Sequence, residues 1–529
     1  MVFFAPHSRR EFEVGSLHAL DYAVLAAYFV VLIVIVVRVT RVSPDADDLF
    51  LAGRSLGVGV VGFSLFASNI SSTTLIGLPG AAWETGISVA NYEWMAALVL
   101  AFTAVFIAPM LIKARVTTIP EWLGRRFSPA MRKYLSAITL FLSLVLDTAG
   151  SLYAGALVLK LFFPMLPLAP TCAAIAVFAG LYTAAGGLRA VAYTDVIQAV
   201  ILLGGALMLT ILVFGEFDYS WSALIERVEP EKLSLIRPLD DPALPWLGTL
   251  IGLPILGFYY WTMNQYVSQR LLGARDARTA GRGALLAAWL KLLPLFLMVL
   301  PGVMASALYT DLERADTVFP RLIADFAPVG ISGLILAGLL AAIMSSVDST
   351  LNSASTLIMV DFVQPGRPQI EAHRLARLGR ICVFVLVALA AIWAPMIDHF
   401  PGLFAYLQQT FSYVVPPLVA VFLLGLYTRL GARAALYGTL TGHALSLIGF
   451  VGALVGWHEV HFTIVAGLLF AATVVACGAW QMALGVRDRA GEAQIAATVR
   501  AAGVVATTDV RLGASVLVAV TALMVWVFR

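Results

Sequence analysis

Fourteen apolar runs follow one another along this chain, each long enough to cross roughly 30 Å of hydrocarbon as a helix. They cover 19–37, 57–79, 89–112, 134–159, 166–185, 190–215, 244–269, 283–307, 331–360, 379–397, 402–427, 434–453, 461–482 and 512–528, and are called spans 1 to 14. In lipid, every backbone N–H and C=O must be satisfied inside the protein, so such a chain can only become a bundle of membrane helices. The expected fold is therefore an all-α polytopic membrane protein of about 14 transmembrane helices. Composition agrees: 12% of the 529 residues are charged, against roughly 25% in soluble proteins.

The stretches outside the spans exclude several functions. The longest, 216–243, 308–330 and 483–511, are too short for a soluble catalytic domain. They hold no paired nucleophile and base, no phosphate-binding loop and no metal-ligand spacing, so an enzyme is not expected. Cys172, Cys382 and Cys477 lie in apolar runs and imply no disulfide framework. The net charge of +3 is parcelled among loops and does not point to nucleic acid. Span 1 lacks the basic flank and small-residue cleavage site of a signal peptide.

Loop charge gives an orientation. The alternating segments 38–56, 113–133, 186–189, 270–282, 361–380, 428–433 and 483–511 carry 24 Lys and Arg, against 9 on the other side with both termini. The positive-inside bias puts the first set in the cytoplasm and both termini outside. An even number of spans agrees with that. A multi-pass protein of the cell (inner) membrane, in contact with lipid, is expected.

Inside span 9 the sequence Ala341-Ala342-Ile343-Met344-Ser345-Ser346-Val347-Asp348-Ser349-Thr350 puts a carboxylate and four hydroxyls at membrane depth. Ala342, Ser345, Ser346 and Ser349 share one helical face by their spacing. Hard oxygen ligands without sulfur or imidazole suit a small hard cation. An ionisable group inside a membrane marks a functional site. The same hydroxyls also suit a packing seam between helices, although Asp348 does not.

Two spans read as discontinuous. Span 2 runs from Phe63 through Ser64, Ser68, Asn69, Ser71, Ser72, Thr73 and Thr74 to Gly77, Pro79 and Gly80. Span 7 has Gly252-Leu253-Pro254-Ile255-Leu256-Gly257 before Tyr259-Tyr260-Trp261. Breaks in mid-membrane expose carbonyls and are tolerated where they line a cavity or are buried in protein. Breaks five spans apart are the pattern of an inverted-repeat transporter with its site at the midplane.

Several stretches together resemble one family: Ala67-Ser68-Asn69-Ile70, Tyr92-Glu93-Trp94, Thr118-Ile119-Pro120-Glu121-Trp122-Leu123, Gly186-Gly187-Leu188 with Tyr193-Thr194-Asp195, Tyr260-Trp261 with Asn264-Gln265, Gln269-Arg270, Leu290-Lys291-Leu292 with Pro294, Asn352-Ser353-Ala354-Ser355-Thr356, and Pro416-Pro417. In order and spacing, over spans 2 to 11, the chain resembles the sodium/solute symporters, in their sodium/glucose-type branch. The resemblance implies the LeuT-type fold, a 5+5 inverted repeat. The first repeat is expected in 57–215 and the second in 244–453. The expected flanks are 1–56, an extracytoplasmic N-terminus with the first peripheral helix, and 461–529, the peripheral C-terminal helices.

The resemblance also implies sites. Carbonyls of Ala67 and Ile70, with Ala342, Ser345 and Ser346, would hold Na+. Asp195 matches an aspartate that holds a second sodium in some members, with Asp348 and Ser349 as partners, giving two sodium ions per solute. A buried acid bonded to Tyr193 or Thr194 is the plainer alternative for Asp195. The sugar-site positions fall on Asn69, Glu93, Lys291 and Gln408, whose amides and carboxylate suit neighbouring hydroxyls. Tyr260 matches the aromatic that covers the sugar from inside. Departures come at Thr74, where sugar transporters carry Gln or His, at Gly257, where Asn or a small polar residue is usual, and at Asp147, where a polar or basic residue is found. Thr74 and Asp147 join the substrate-binding set, and the identity of the sugar stays open.

Glu93, Asp147 and Lys291 sum to −1 if all are ionised, which should disfavour an anionic sugar acid and suit a neutral polyhydroxylated solute. Asp147–Lys291 as a helix-pinning pair outside the pocket is the alternative. The expected function is sodium-coupled import of a sugar or polyol by alternating access. Alternatives are a sodium- or proton-coupled carrier of a carboxylate or amino acid, and a sensor built on the same scaffold.

Overall fold

The computed structural model describes residues 18–40, 50–70, 72–163, 165–367, 369–399, 403–484 and 506–529. The N-terminal 1–17, the loop 41–49, Ser71 and most of the expected cytoplasmic stretch 483–511 lie outside the described residues. Among those described, the chain is helical almost throughout. Strand pairing is limited to the isolated bridges Leu56 with Ala274 and Arg237 with Pro245.

Among the described residues nine helices are long and apolar enough to cross a membrane, and up to 11 if each of two bent pairs counts as one span. The nine correspond to spans 3, 4, 6, 8, 9, 10, 12, 13 and 14. The bent pairs are spans 2 and 11. The other three expected spans fall short of that test for separate reasons. Ala19–Ile35 and Leu168–Leu181 are short apolar helices, and span 7 is cut into pieces.

Both expected breaks are present. Span 2 is split into Val58–Asn69 and Ser72–Thr85, with a 55° bend between Val58–Asn69 and Thr74–Thr85. The Thr74 hydroxyl donates to the Asn69 carbonyl at 2.8 Å, closing one carbonyl that the break releases. Span 7 runs as Trp246–Ile251 and Leu253–Phe258, a widened turn Tyr259–Met263, then Gln265–Leu272. Asn264, with ψ 126°, is extended and separates the last two pieces. A third bend, 46°, separates Tyr406–Val414 from Pro416–Tyr427. Pro416 has no N–H to continue the first helix.

Spans 5 and 6 differ from expectation. Helix runs unbroken from Leu168 to Phe214, 47 residues, which would be about 70 Å if straight. Yet the Phe178 ring meets Phe29 at 6.0 Å and the Gln198 amide donates to the Tyr28 hydroxyl at 3.2 Å. Twenty residues of straight helix would separate Phe178 and Gln198 by roughly 30 Å, farther than neighbours on one helix reach. The segment therefore bends within an interval that includes Gly186 and Gly187.

The helices pack through small residues, as membrane helices do. Gly302 of span 8 lies so close to span 2 that a Cβ there would stand 2.2 Å from the Pro79 carbonyl oxygen. On the expected cytoplasmic side, Thr118 caps the helix Ile119–Arg126 by accepting from the Glu121 N–H. The same hydroxyl donates to buried Asp361 at 3.0 Å. Asp361 also accepts from Arg132 Nε at 2.7 Å and Ser136 at 2.6 Å, which pins the end of span 9 to the loop between spans 3 and 4.

Candidate functional site

A cavity of about 110 Å³ lies between spans 2, 3, 4, 7, 9 and 11. That is space for several water molecules, and so for a small solute. Asn69, Thr74, Glu93, Asp147, Tyr260 and Gln408 all border it. Six of the seven residues expected to bind substrate are thus brought together from five spans. The broken spans contribute Asn69 and Thr74 beside one break and Tyr260 on the widened turn before the other. Asp147 also sits on a widened turn, Ser143–Thr148. Such turns rotate the following side chains relative to a regular helix and concentrate at functional sites.

Lys291, the seventh, stands behind the wall. It is fully buried, at the C-terminal end of Ala277–Leu290. Its ammonium donates to Glu93 Oε2 and to Asn69 Oδ1, and lies 5.0 Å from the Trp261 ring centroid. Lys291 therefore holds two cavity residues in position and carries a charge opposite to Glu93. The alternative Asp147–Lys291 pair does not form, because Lys291 is committed to Glu93. Asp147 instead accepts from Asn264 Nδ2 at 3.4 Å. Gln408 keeps its amide free of hydrogen-bonding partners among the described residues and faces the cavity.

Span 9, helical over Ile331–Leu357, presents three polar faces rather than one. Ser346 and Thr350, four residues apart, border the cavity. Ser346 donates to the Ala342 carbonyl at 2.9 Å. Ser345 and Ser349 turn to a second cluster. Asp348 follows Ala341 and Met344 along the face that Tyr28 and Leu32 of the first helix cover.

The second cluster centres on Asp195 and Arg270, both with no solvent exposure. Arg270 Nη2 lies 3.0 Å from Asp195 Oδ2. Its Nε donates to Ser64 at 2.8 Å, and its other donors reach Ser349 and the Tyr266 carbonyl. Ser64 donates to Asp195 Oδ2 at 2.5 Å, and Ser345 to Asp195 Oδ1. Ser68, next to Ala67, donates to the Ser64 carbonyl at 2.7 Å. The first half of span 2 and the Ser345 face of span 9 thus meet on the two oxygens of one carboxylate. Tyr193 and Thr194, the alternative partners of Asp195, are not used: Tyr193 is exposed, and Thr194 bonds backbone carbonyls.

Arg270 was missed as a site residue because it reads as a loop charge. Withdrawing it from the charge count leaves the loop bias intact. Its signal was present in Asn264-Gln265, Ser268, Gln269 and Arg270, a polar run at the end of an apolar span. All five are fully buried. Gln265 accepts from Ile119 N–H and donates to the Thr117 carbonyl, both at 3.1 Å, and Gln269 donates to the Phe50 carbonyl and to Thr356. The acid–base balance of this cluster and the adjoining Asp348 face is uneven. Arg270 offsets Asp195, while Asp348 Oδ2 has no hydrogen-bond partner and its other oxygen accepts only from Ser349, at 3.3 Å, among the described residues.

The chemistry of the expected donors, carbonyls and hydroxyls, is that of a hard-cation site. The helix Val58–Asn69 ends beside Ala67 and Ile70, and the end of a helix is where backbone carbonyls are released for other partners. Hydroxyls that already donate, as Ser345 and Ser346 do, keep oxygen lone pairs for a cation.

Residues 49–442 match the sodium:solute symporter family. The Homo sapiens protein called sodium/glucose cotransporter 4 is 34% identical over 491 residues, 84% of this chain and 71% of its own. The Mus musculus protein called sodium/myo-inositol cotransporter 2 is 36% identical over 483 residues, 84% of this chain and 72% of its own. Among solved structures, a Na+-coupled sialic acid symporter in a substrate-bound, outward-open state superposes with a TM-score of 0.76. It is 22% identical, covering 89% of this chain and 98% of that one, a likeness of fold.

Proposed function

The chain belongs to the sodium:solute symporter family, and from that membership we propose that it imports a polyhydroxylated solute, a sugar or polyol, coupled to inward sodium flow. The relatives named above are sodium cotransporters of glucose and myo-inositol. The observation that carries the reading is the convergence of Asn69, Glu93 and Gln408 on one cavity beside two broken helices. Paired amide and carboxylate groups suit adjacent hydroxyls, and we read the transport cycle as alternating access.

The finer reading is ours as well. The fourteen spans fold as a LeuT-type 5+5 repeat, with the halves in 57–215 and 244–453, in the cell membrane with both termini outside. Sodium is held by the Ala67 and Ile70 carbonyls with Ala342, Ser345 and Ser346. A second cation is bounded by Asp195, Asp348 and Ser349, on the Asp348 side, since Arg270 already neutralises Asp195. The unpartnered Asp348 oxygen also favours a second reading, in which that cation is a proton. Transport driven by a pH gradient in sodium-free buffer would support it.

The function is tested by uptake into proteoliposomes of labelled glucose, galactose, myo-inositol, proline and lactate, with and without an inward sodium gradient. Sodium-dependent uptake of a sugar or polyol is expected. Uptake of proline or lactate alone would overturn the solute class. For the sodium shell, Ser345→Ala is expected to raise the sodium concentration for half-maximal rate by about tenfold, the equivalent of one lost ligand contact, with Ser346→Ala weaker. Wild-type sodium dependence in both variants would make these two hydroxyls packing groups between helices.

A further inference from the structure

Charge around the cavity does not balance, and the excess falls on one residue. Glu93 has its counter-charge in Lys291. Arg270 is held by Asp195, Ser64, Ser349 and the Tyr266 carbonyl. Asp147 borders the same cavity, yet among the described residues it forms no ion pair, and its one hydrogen bond is the long contact from Asn264. Asp147 is partly exposed to the cavity, and an ionised carboxylate at membrane depth without a counter-charge is still costly. A cation that arrives with the cargo removes that cost.

The surroundings say which kind of cation. Rings of Tyr260, Trp261, Tyr266 and Phe411 border the cavity with Asp147. Hydroxyl oxygens border the cavity as well, Ser151 one turn from Asp147 among them, so it is the aromatic faces that favour an organic cation over a bare metal ion. A carboxylate among aromatic faces is the chemistry that receives an ammonium group. Asn69, Glu93 and Gln408 remain for hydroxyls on the same solute.

We propose that Asp147 is a specificity-determining residue that pairs with a protonated amine of the solute, so that amino-substituted sugars or polyols are preferred over their neutral counterparts. This rests on the reading of the cavity as the solute site.

The test is sodium-driven uptake by the full-length protein in proteoliposomes, at a pH where the amine is protonated. Glucosamine and galactosamine are compared with glucose, galactose, myo-inositol and N-acetylglucosamine. The expected result is a preference of about tenfold or more in kcat/KM for the free amines, lost on N-acetylation. Asp147→Glu should keep that preference and Asp147→Asn should bring the ratio close to one. Neutral sugars carried by the wild type as well as the amines, or an amine preference that survives Asp147→Asn, would overturn the inference while leaving the transport function standing. Uptake of no solute in the panel, with or without a sodium gradient, would remove the sugar or polyol reading, and this inference with it.

Discussion

Replacing Lys291 with Met should abolish solute uptake and lower the yield of folded protein. The substitution keeps most of the side-chain volume but removes the ammonium that Glu93 and Asn69 share. Glu93 would be left as a nearly buried carboxylate without its partner, and breaking a buried pair from one side costs about 3–5 kcal/mol. Against a total stability of about 5–15 kcal/mol that is a large fraction. Adding Glu93→Gln removes the stranded charge and should restore much of the yield. It should not restore uptake, because the cavity would still lack the ammonium that positions Asn69 and the carboxylate that meets the solute. Thermal unfolding in detergent and uptake in proteoliposomes separate the two effects. Full uptake by Lys291→Met would mean that the pair only pins helices.

Arg270 should be as intolerant, and of a conservative change too. Its planar fork meets Ser64, Asp195, Ser349 and the Tyr266 carbonyl at once. Lys offers three donors from one point and cannot reproduce that fork. Arg270→Lys is therefore expected to reduce uptake by about a hundredfold or more, equivalent to the roughly 3 kcal/mol at the low end for a disrupted buried pair. Arg270→Gln should unfold the protein outright. Pairing it with Asp195→Asn removes the uncompensated charge and should return folded protein, measurable by gel filtration, without normal sodium dependence. Wild-type transport by Arg270→Lys would show that charge alone is needed there. Asp195→Asn by itself strands the Arg270 charge and should lower the yield of folded protein, and in the protein that folds it should lower the Hill coefficient for sodium toward one. A wild-type coefficient already at one would leave Asp195 as a structural partner of Arg270.

How far the sequence carried follows from what each feature depends on. Span 9 and the breaks in spans 2 and 7 were legible because polar residues, Gly and Pro stand out against long apolar runs. The bend before Pro416 rested on the same kind of signal, although Pro416-Pro417 read only as part of a resemblance. Continuity from Leu168 to Phe214 was not legible. Whether Gly186 and Gly187 interrupt a helix is decided by backbone hydrogen bonds and neighbours, not by apolarity. Site residue types were legible, but their pairing was not. Lys291 had two acids within plausible reach, Glu93 and Asp147, and only the packed helices determine which it meets. The widened turns that carry Asp147 and Tyr260 leave no compositional trace, so their rotation toward the cavity could not be read. Ser345, Ser346 and Ser349 share a spacing, yet neighbours on several sides divide them between the cavity and Arg270.

Coupling itself is tested most directly by running the cycle from the solute side. Proteoliposomes are prepared with equal sodium inside and out and the membrane potential clamped at zero, and an inward gradient of a transported sugar or polyol is then imposed. In a symporter the two fluxes share one free energy, so sodium should accumulate inside above its external concentration, and the Lys291→Met protein should show no such rise. Solute entry at full rate with internal sodium unchanged from that of protein-free vesicles would contradict the account.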